Sequence, residues 1–200
     1  MNSQDDIIRE EILQAGLRLY RGSGPAKITM ENVAKATGRS RSSLYYYFKD
    51  KDEIFQAVLD RIAHDVAAEI RLAVTKAKDL NEKIIAFCTA KIKTSQEWKR
   101  IFNAIEGFIS ADEKFKHAQS LDGLHQKLIH LERGIIMDAF SAEEQFFSSK
   151  LNYAEKDMLA FIICSGVRGI RREIYDYNDP HDVNIAAQLL SDMVAKWLLS

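Results

Sequence analysis

Residues 28–55 read ITMENVAKATGRSRSSLYYYFKDKDEIF and determine how the rest of the chain is interpreted. Two short helices are predicted here, joined at Gly38, a residue suited to the left-handed conformation that closes a helix. Thr29 and Ser40 stand where N-cap residues are expected, just before each helix. A triple tyrosine and two spaced lysines follow. This order predicts a helix-turn-helix whose polar, basic and aromatic face suits a phosphate backbone.

Helices are also predicted on both sides of this stretch. Apolar residues recur at helical spacing before it, and Asp50 is a suitable cap for a long helix after it. Asn152 followed by Glu155 resembles a capping box, and Asp179 before Pro180 resembles the start of a last helix. The predicted flanking helices cover residues 4–21, 51–78, 81–94, 98–110, 122–140, 153–177 and 180–199. Because no strand-type alternation occurs, the sequence predicts an all-α fold of about nine helices.

Composition and charge restrict the class of protein. At 200 residues, with 46% hydrophobic and 28% charged residues, the chain has the balance of a globular protein with a sizeable core. Its net charge is −1, but residues 27–51 carry six basic side chains against two acidic ones. Nucleic-acid binding depends on where the charge lies, so the overall balance does not exclude it.

Three features predict a cytoplasmic protein that makes no membrane contact. Cys88 and Cys164 lie far apart in apolar runs, which predicts buried, reduced thiols. The N-terminus is acidic and polar, whereas a signal peptide is basic and then apolar. No apolar run approaches the roughly 20 residues needed to cross a bilayer.

The second helix of the predicted motif carries side chains suited to DNA. In such motifs this helix enters the major groove and directs its N-terminal side chains to base edges. Arg41 can bond guanine in a bidentate way, and the two serines after it can reach bases or phosphates. Tyr45 and Tyr46 can donate hydroxyl groups to phosphate, and Lys51 adds its charge to a helix N-terminus.

The alternative is that the aromatic residues 45–48 are all core. This reading is accepted for Phe48. Three consecutive helical positions spread over most of the helix circumference, so burial of all of residues 45–47 is not expected. At least one of these tyrosines should therefore face outward.

The pattern A-x-x-x-G, S-x-x-x-L-Y-x-Y-F and K-x-x-x-F resembles that of the TetR family of bacterial transcriptional regulators. The matching residues are Ala34, Gly38, Ser40, Leu44, Tyr45, Tyr47, Phe48, Lys51 and Phe55. Outside this stretch the chain resembles the family in length and helix layout. The resemblance implies a helix-turn-helix DNA-binding domain over residues 1–50 and a helical ligand-binding and dimerisation domain over residues 51–200.

The resemblance also implies roles for individual residues. Thr29, Tyr45 and Lys51 would contact backbone phosphates. Base or backbone contacts in the groove would come from Arg41, Ser42, Ser43, Tyr46 and Tyr47, and Ser40 is a further expected DNA-binding residue. Family members usually carry a small aliphatic residue after the turn glycine, where this chain has Arg39. Either the Arg39 head reaches a phosphate while its stem stays on the protein, or the start of the recognition helix is shifted.

The resemblance to the TetR family also implies a homodimer and a small-molecule ligand. A dimer can read a palindrome with two helix-turn-helix units, and family members dimerise through their last two helices. The predicted interface residues are Phe161, Ile162, Gly166, Ile170, Leu189, Leu190, Met193 and Trp197. The predicted pocket residues are Trp98, Phe102, Ile105, Glu106, His125 and Arg133. The alternative is that the apolar residues of the predicted interface, and the aromatic residues of the predicted pocket region, which include Phe108, are ordinary core. The polar residues of the predicted pocket could likewise lie on the surface.

The predicted function is therefore a repressor that binds a palindromic operator and is released by a small molecule. An enzyme is not expected, because the chain lacks H-E-x-x-H, G-x-S-x-G and a glycine-rich phosphate loop. His125 and His130 are five residues apart and therefore lie on different faces of a helix, so no metal site is predicted on this pair. No cofactor is predicted either. The remaining alternative is a DNA-bound scaffold controlled by a protein partner. A well-formed cavity in the C-terminal domain would favour the small-molecule sensor, and a filled core would favour the scaffold.

Overall fold

The computed structural model describes residues 3–106, 110–147 and 150–199, and these residues form an all-α protein. The described part of the chain contains eight α-helices and two single-turn 3-10 helices, and no strand. The α-helices are α1 (Ser3–Ser23), α2 (Met30–Thr37), α3 (Arg41–Tyr47), α4 (Lys51–Thr75), α5 (Leu80–Glu106), α6 (Ala111–Glu143), α7 (Tyr153–Asp176) and α8 (Val183–Leu199). The predicted fold class is confirmed. Phe108 lies outside the described residues.

The helix count differs from the prediction because α5 is one helix where two were expected, over 81–94 and 98–110. Thr94, the last residue of the first of these two predicted helices, lies inside α5. Its hydroxyl donates to the carbonyl of Ala90 at 2.9 Å, so the side chain bonds back along the helix and does not cap a new one. Helix α6 also begins earlier than predicted, at Ala111, after Ser110 and Glu113 form a reciprocal cap.

The predicted start of the last helix at Pro180 is wrong. The Asp179 carboxylate accepts the N–H of His181 at 2.9 Å, which makes a local turn and no helix cap. The carboxylate of Asp182 instead accepts the N–H of Asn184 at 2.6 Å, and α8 begins at Val183. An aspartate three residues further along, Asp182, thus takes the role of cap that was predicted for Asp179.

The predicted caps around the helix-turn-helix are confirmed. The Thr29 hydroxyl oxygen accepts the N–H of Asn32 at 3.1 Å at the start of α2. The Ser40 hydroxyl oxygen accepts the N–H of Ser43 at 3.1 Å at the start of α3. Gly38, between the two helices, has φ of 67° and ψ of 22°, the left-handed conformation expected of it.

The chain forms two compact units. The first comprises the described residues up to Ala63 together with those of Trp98–Lys127, and the second comprises the described residues of His64–Glu97 and Leu128–Ser200. In the first unit α1 approaches α4 closely, because a Cβ on Gly16 would lie 2.9 Å from a methyl of Val58. This packing assigns the first turns of α4 to the first unit. The functional boundary between residues 50 and 51 stays a prediction.

The core of the second unit contains ionisable groups as well as apolar side chains. Cys88 and Cys164 are buried and unpaired, as predicted. Burial raises the pKa of the Cys88 thiol to about 12 and that of Cys164 to about 11. Near them Lys91 and Glu132 form an ion pair with 5% and 3% of their surface exposed. Among the helices described, none combines the length and apolar character needed to cross a membrane.

Candidate nucleic-acid interface

The recognition helix α3 is anchored by its apolar side and presents its polar side to solvent. Leu44 and Phe48 are buried, while Tyr45 is 50% and Tyr46 is 74% exposed. Arg41 and Ser42, at the start of the helix, are also exposed. The expectation that the three tyrosines are not all buried is confirmed. The exposed side of α3 therefore offers a guanidinium, hydroxyl groups and two phenol groups to a partner.

The caps of the first unit leave hydrogen-bond donors available. Thr29 and Ser40 use lone pairs to accept backbone N–H groups, so each O–H can still donate to a phosphate oxygen. Lys51 is exposed in the first turn of α4. That helix is capped by Asp50, whose carboxylate accepts the N–H of Glu53 at 2.9 Å. The ammonium group of Lys51 thus stands at a helix N-terminus, where an anion is favoured.

Two of the predicted DNA contacts are engaged within the protein. Nη2 of Arg39 lies 2.7 Å from Oε2 of Glu11 on α1. The Tyr47 hydroxyl donates to Oδ1 of Asp5, also on α1, at 3.2 Å. Burial and the Asp5 carboxylate raise the pKa of Tyr47. Because Ser40 caps α3 in the usual way, Arg39 does not shift the start of the recognition helix.

The six predicted pocket residues fall in both units. In the first unit the Trp98 and Phe102 ring centroids are 5.7 Å apart, and Ile105 is buried nearby on the same helix. Glu106 and His125, in the same unit, are exposed. Arg133 belongs to the second unit, where it forms an ion pair with Asp157. Trp98 and Phe102 are thus brought together, whereas a single pocket formed by all six residues stays a prediction.

His117 is a further buried polar residue of the first unit, and it was not among the predicted site residues. It is buried on α6, and its Nε2 lies 2.7 Å from the hydroxyl oxygen of Tyr20 on α1. The ring of Phe102 lies close to both, with centroids 6.4 Å from Tyr20 and 6.5 Å from His117. His117 precedes the buried Leu124 by two helical turns, and this spacing was the available signal that it lies on the buried face of α6.

Each unit contains a cavity of a size that suits a small molecule. In the first unit a cavity of about 690 Å³ includes Lys51, Phe55 and His117 in its lining. In the second unit a cavity of about 710 Å³ lies between α6 and α7. It is lined by His130, Arg133, Gly134, Met137, Asp138, Ser141, Tyr153, Lys156 and Asp157. Both volumes fall within the usual range for ligand pockets, roughly 300–1,000 Å³.

Helices α7 and α8 expose a series of large apolar side chains. On α8, Met193 is 71% and Trp197 is 62% exposed, and Leu189 is also exposed. On α7, Phe161 and Ile162 are exposed, whereas Ile170 is half-buried. Gly166 lies beside Leu190 of the same chain, because a Cβ on this glycine would be 3.6 Å from a Leu190 methyl. A part of the predicted interface residues is therefore exposed and does not belong to the core of this chain.

The helix-turn-helix and the whole fold both have counterparts among known proteins. Residues 12–58 match the family described as bacterial regulatory proteins, tetR family. An uncharacterized HTH-type transcriptional regulator of Mycobacterium tuberculosis is 28% identical over 88 residues, which are 44% of each chain. The matched region thus spans less than half the length of the first curated relatives.

Two solved structures share the fold over nearly their whole length. A protein of unknown function from Rhodococcus sp. RHA1 has a TM-score of 0.61 and 15% identity, with 96% of this chain and 95% of that chain covered. The regulator FadR from Bacillus subtilis, in complex with stearoyl-CoA, has a TM-score of 0.51 and 10% identity, with 94% and 98% covered. Residues 12–58 thus match the tetR family of bacterial regulatory proteins, and the described chain shares its fold with these two solved structures.

Proposed function

We propose that this regulator is a repressor that binds a palindromic operator as a homodimer and is released by a small molecule. The observation that carries the proposal is the outward side of α3, where Arg41, Tyr45 and Tyr46 are exposed while Leu44 and Phe48 anchor the helix. A short helix held in this way and led by arginine and serine fits the major groove.

The proposed contacts divide into base readout and phosphate binding. Arg41 would bond guanine, with Ser42 and Ser43 beside it at the groove edge. Tyr45 and Tyr46 would donate to phosphates that flank the groove. Thr29, Ser40 and Lys51 would hold the backbone through the free hydroxyl protons of the two caps and the ammonium group at the start of α4.

The exposed apolar stripes of α7 and α8 support a homodimer. Leu189, Met193 and Trp197 lie four residues apart in sequence and all are exposed, so they form one continuous face along α8. A contiguous apolar face of this kind is unfavourable in water and is typical of a protein interface. A two-fold dimer would also supply the second recognition helix that a palindrome requires.

The cavity of the second unit supports a small-molecule ligand. Its volume of about 710 Å³ fits an organic molecule, and its lining combines Met137 and Tyr153 with the Arg133–Asp157 ion pair. The FadR structure that shares this fold contains stearoyl-CoA. We therefore choose a long-chain acyl-CoA as the first probe, and release of bound operator by this probe would support the sensor over the scaffold.

The experiment that tests the proposal is selection of bound sequences from a random duplex pool with the purified protein, read by sequencing. A palindrome with half-sites about one helical turn apart is the expected outcome. Met193→Glu should be monomeric by light scattering and should lose operator affinity, because a charge cannot be buried unpaired in an interface. Leu72→Glu, at an exposed apolar residue of α4, is the control and should remain dimeric. A selected sequence without symmetry, or a dimeric Met193→Glu, would contradict the proposal.

A further inference from the structure

The recognition helix is bonded to α1 at both of its ends. Before its first turn, Arg39 pairs with Glu11 through a distance of 2.7 Å. At its last residue, the Tyr47 hydroxyl donates to Asp5 at 3.2 Å. Just beyond, the guanidinium of Arg9 lies 5.0 Å from the centroid of the Phe48 ring. All three partners on α1 lie within its first three turns.

These bonds matter because α3 is short. It has seven residues, and helices of this length are not stable on their own. Its buried side chains, Leu44 and Phe48, keep it on the protein, but an apolar contact is non-directional and fixes rotation and sliding weakly. Directional bonds at the two ends define the angle at which the exposed side of the helix meets a groove.

The surroundings of the Arg39 head argue against a phosphate there. Glu11 lines a groove beside the end of α2 in which three carboxylates, those of Asp6, Glu10 and Glu11, face one guanidinium, that of Arg18. An acidic surface of this kind repels a phosphate backbone. The Nε–H of Arg39 is buried without a hydrogen-bond partner among the described residues, so the guanidinium lies against the protein. The head of Arg39 is therefore directed to a side of the unit that DNA is not expected to approach.

We propose that Glu11 and Asp5 are positioning residues for DNA recognition, acting through Arg39 and Tyr47. The two carboxylates of α1 set the orientation of α3 through their bonds to Arg39 and Tyr47. Neither Arg39 nor Tyr47 contacts DNA. The proposal rests on the proposed function only in that α3 reads the operator. It changes the expected role of Arg39 and Tyr47 from DNA-contacting residues to residues that bond α3 to α1 within the protein.

The test compares affinity and salt dependence for the selected operator and for a random duplex. Arg39→Ala and Glu11→Gln should each weaken operator binding about threefold to tenfold and leave random-duplex binding within about twofold. The slope of log affinity against log salt should stay that of the native protein, because no phosphate contact is lost. Lys51→Ala is the comparison variant, and it should reduce that slope by about one and weaken both duplexes.

A charge exchange separates positioning from direct contact. The double variant Glu11→Arg with Arg39→Glu should recover operator affinity to within about threefold of native, since the pair is restored with opposite polarity. Tyr47→Phe and Asp5→Asn should act like Glu11→Gln. A slope lowered by about one in Arg39→Ala, tighter binding by Glu11→Gln, or no recovery in the exchange would overturn the proposal. Native protein that selects no operator would instead reject the proposed function, so the two failures are distinguishable.

Discussion

The hydroxyl oxygen of Tyr20 lies 2.7 Å from Nε2 of His117, and the two side chains are 0% and 3% exposed. Burial raises the pKa of Tyr20 and lowers that of His117, so both groups are neutral near pH 7. Which of the two donates depends on the imidazole tautomer, since a neutral ring carries its proton on either nitrogen. The bond joins the last turn of α1 to α6 inside the first unit, next to the rings of Phe55 and Phe102.

Tyr20→Phe should destabilise the first unit. The ring stays in place, but Nε2 of His117 loses its hydrogen-bond partner and remains buried, which costs about 1–3 kcal/mol. The free energy of unfolding from urea denaturation measures this loss. Tyr46→Phe is the matched control, because that ring is 74% exposed, and its stability should be unchanged. Equal stability of both variants would mean that the Tyr20–His117 bond contributes nothing net.

Acidification should destabilise the protein through His117. Burial lowers the pKa of this imidazole, and the Glu106 carboxylate opposes that shift more weakly. An unfolded histidine titrates near pH 6.5, so below that pH the unfolded chain binds a proton that the folded chain refuses. The stabilising contribution is complete above about pH 6.5 and is lost as the pH falls, by at most about 1.4 kcal/mol per pH unit.

The measurement is a series of urea denaturations between about pH 7.5 and pH 5, above the range where most carboxylates titrate. His117→Gln should flatten the dependence of unfolding free energy on pH in this window. His130→Gln, at an exposed histidine, is the control and should keep the native slope. The assignment fails if the two variants exchange these behaviours.

Gly38→Ala and Gly22→Ala should have opposite effects on stability. Gly38 has φ of 67°, and a Cβ there would meet no atom within 4 Å, so the loss comes from backbone strain alone. It should amount to about 1–2 kcal/mol. Gly22 lies in α1 with equally open space around it, and alanine there should stabilise by up to about 1 kcal/mol. Thermal denaturation of the two variants gives the comparison, and a shift in the same direction for both would contradict it.

Local signals in the sequence were sufficient for the starts of α2, α3 and α7, but not for those of α6 and α8 or for the bonds between helices. Thr29, Ser40 and Asn152 each accept an N–H three residues ahead, and such a bond depends on neighbours in the chain alone. Thr94 shows the limit of that logic, because the same kind of residue can bond backwards within a continuous helix. The sequence pattern of α5 does not distinguish the two outcomes.

The contacts of the candidate site depend on tertiary structure. The exposed side of α3 could be predicted, since consecutive residues on a short helix cannot all be buried. The partners of Arg39 and Tyr47 could not, because they come from α1, 28 and 42 residues away in the chain. The same holds for Tyr20 and His117, which are separated by 97 residues. Such pairs require the packing of α1 against its neighbours to be known.

Arg41→Ala and Lys51→Ala should affect DNA binding in different ways. Loss of the Arg41 guanidinium should relax sequence preference at one base pair, with about 1–3 kcal/mol less discrimination. Loss of the Lys51 ammonium should weaken binding to all duplexes and lower the salt slope by about one. Lys76→Ala, at an exposed lysine of the second unit, is the control and should change neither quantity. Repeating the duplex selection with each variant measures preference, and equal losses on operator and random DNA for Arg41→Ala would contradict the assignment.

Breaking the buried Lys91–Glu132 ion pair should be far more costly than breaking an exposed one. Lys91→Met leaves the Glu132 carboxylate in the core without its counter-charge, which should destabilise by about 3–5 kcal/mol. The double variant Lys91→Met with Glu132→Leu removes both charges and should return to within about 1 kcal/mol of native, or exceed it. Lys93→Met provides the comparison, because Lys93 pairs with Glu69 on the surface at 3.1 Å and its loss should cost less than about 1 kcal/mol.

Unfolding free energies of these four proteins, native included, decide whether the pair stabilises the core. If the double variant is as stable as native, the ion pair contributes no net stability, and its desolvation and attraction offset each other. If the double variant is as unstable as Lys91→Met, the charges hold α5 against α6 in a way that apolar side chains cannot replace. A small effect of Lys91→Met alone would contradict the large cost expected for leaving the Glu132 side chain, which is 3% exposed, without its partner.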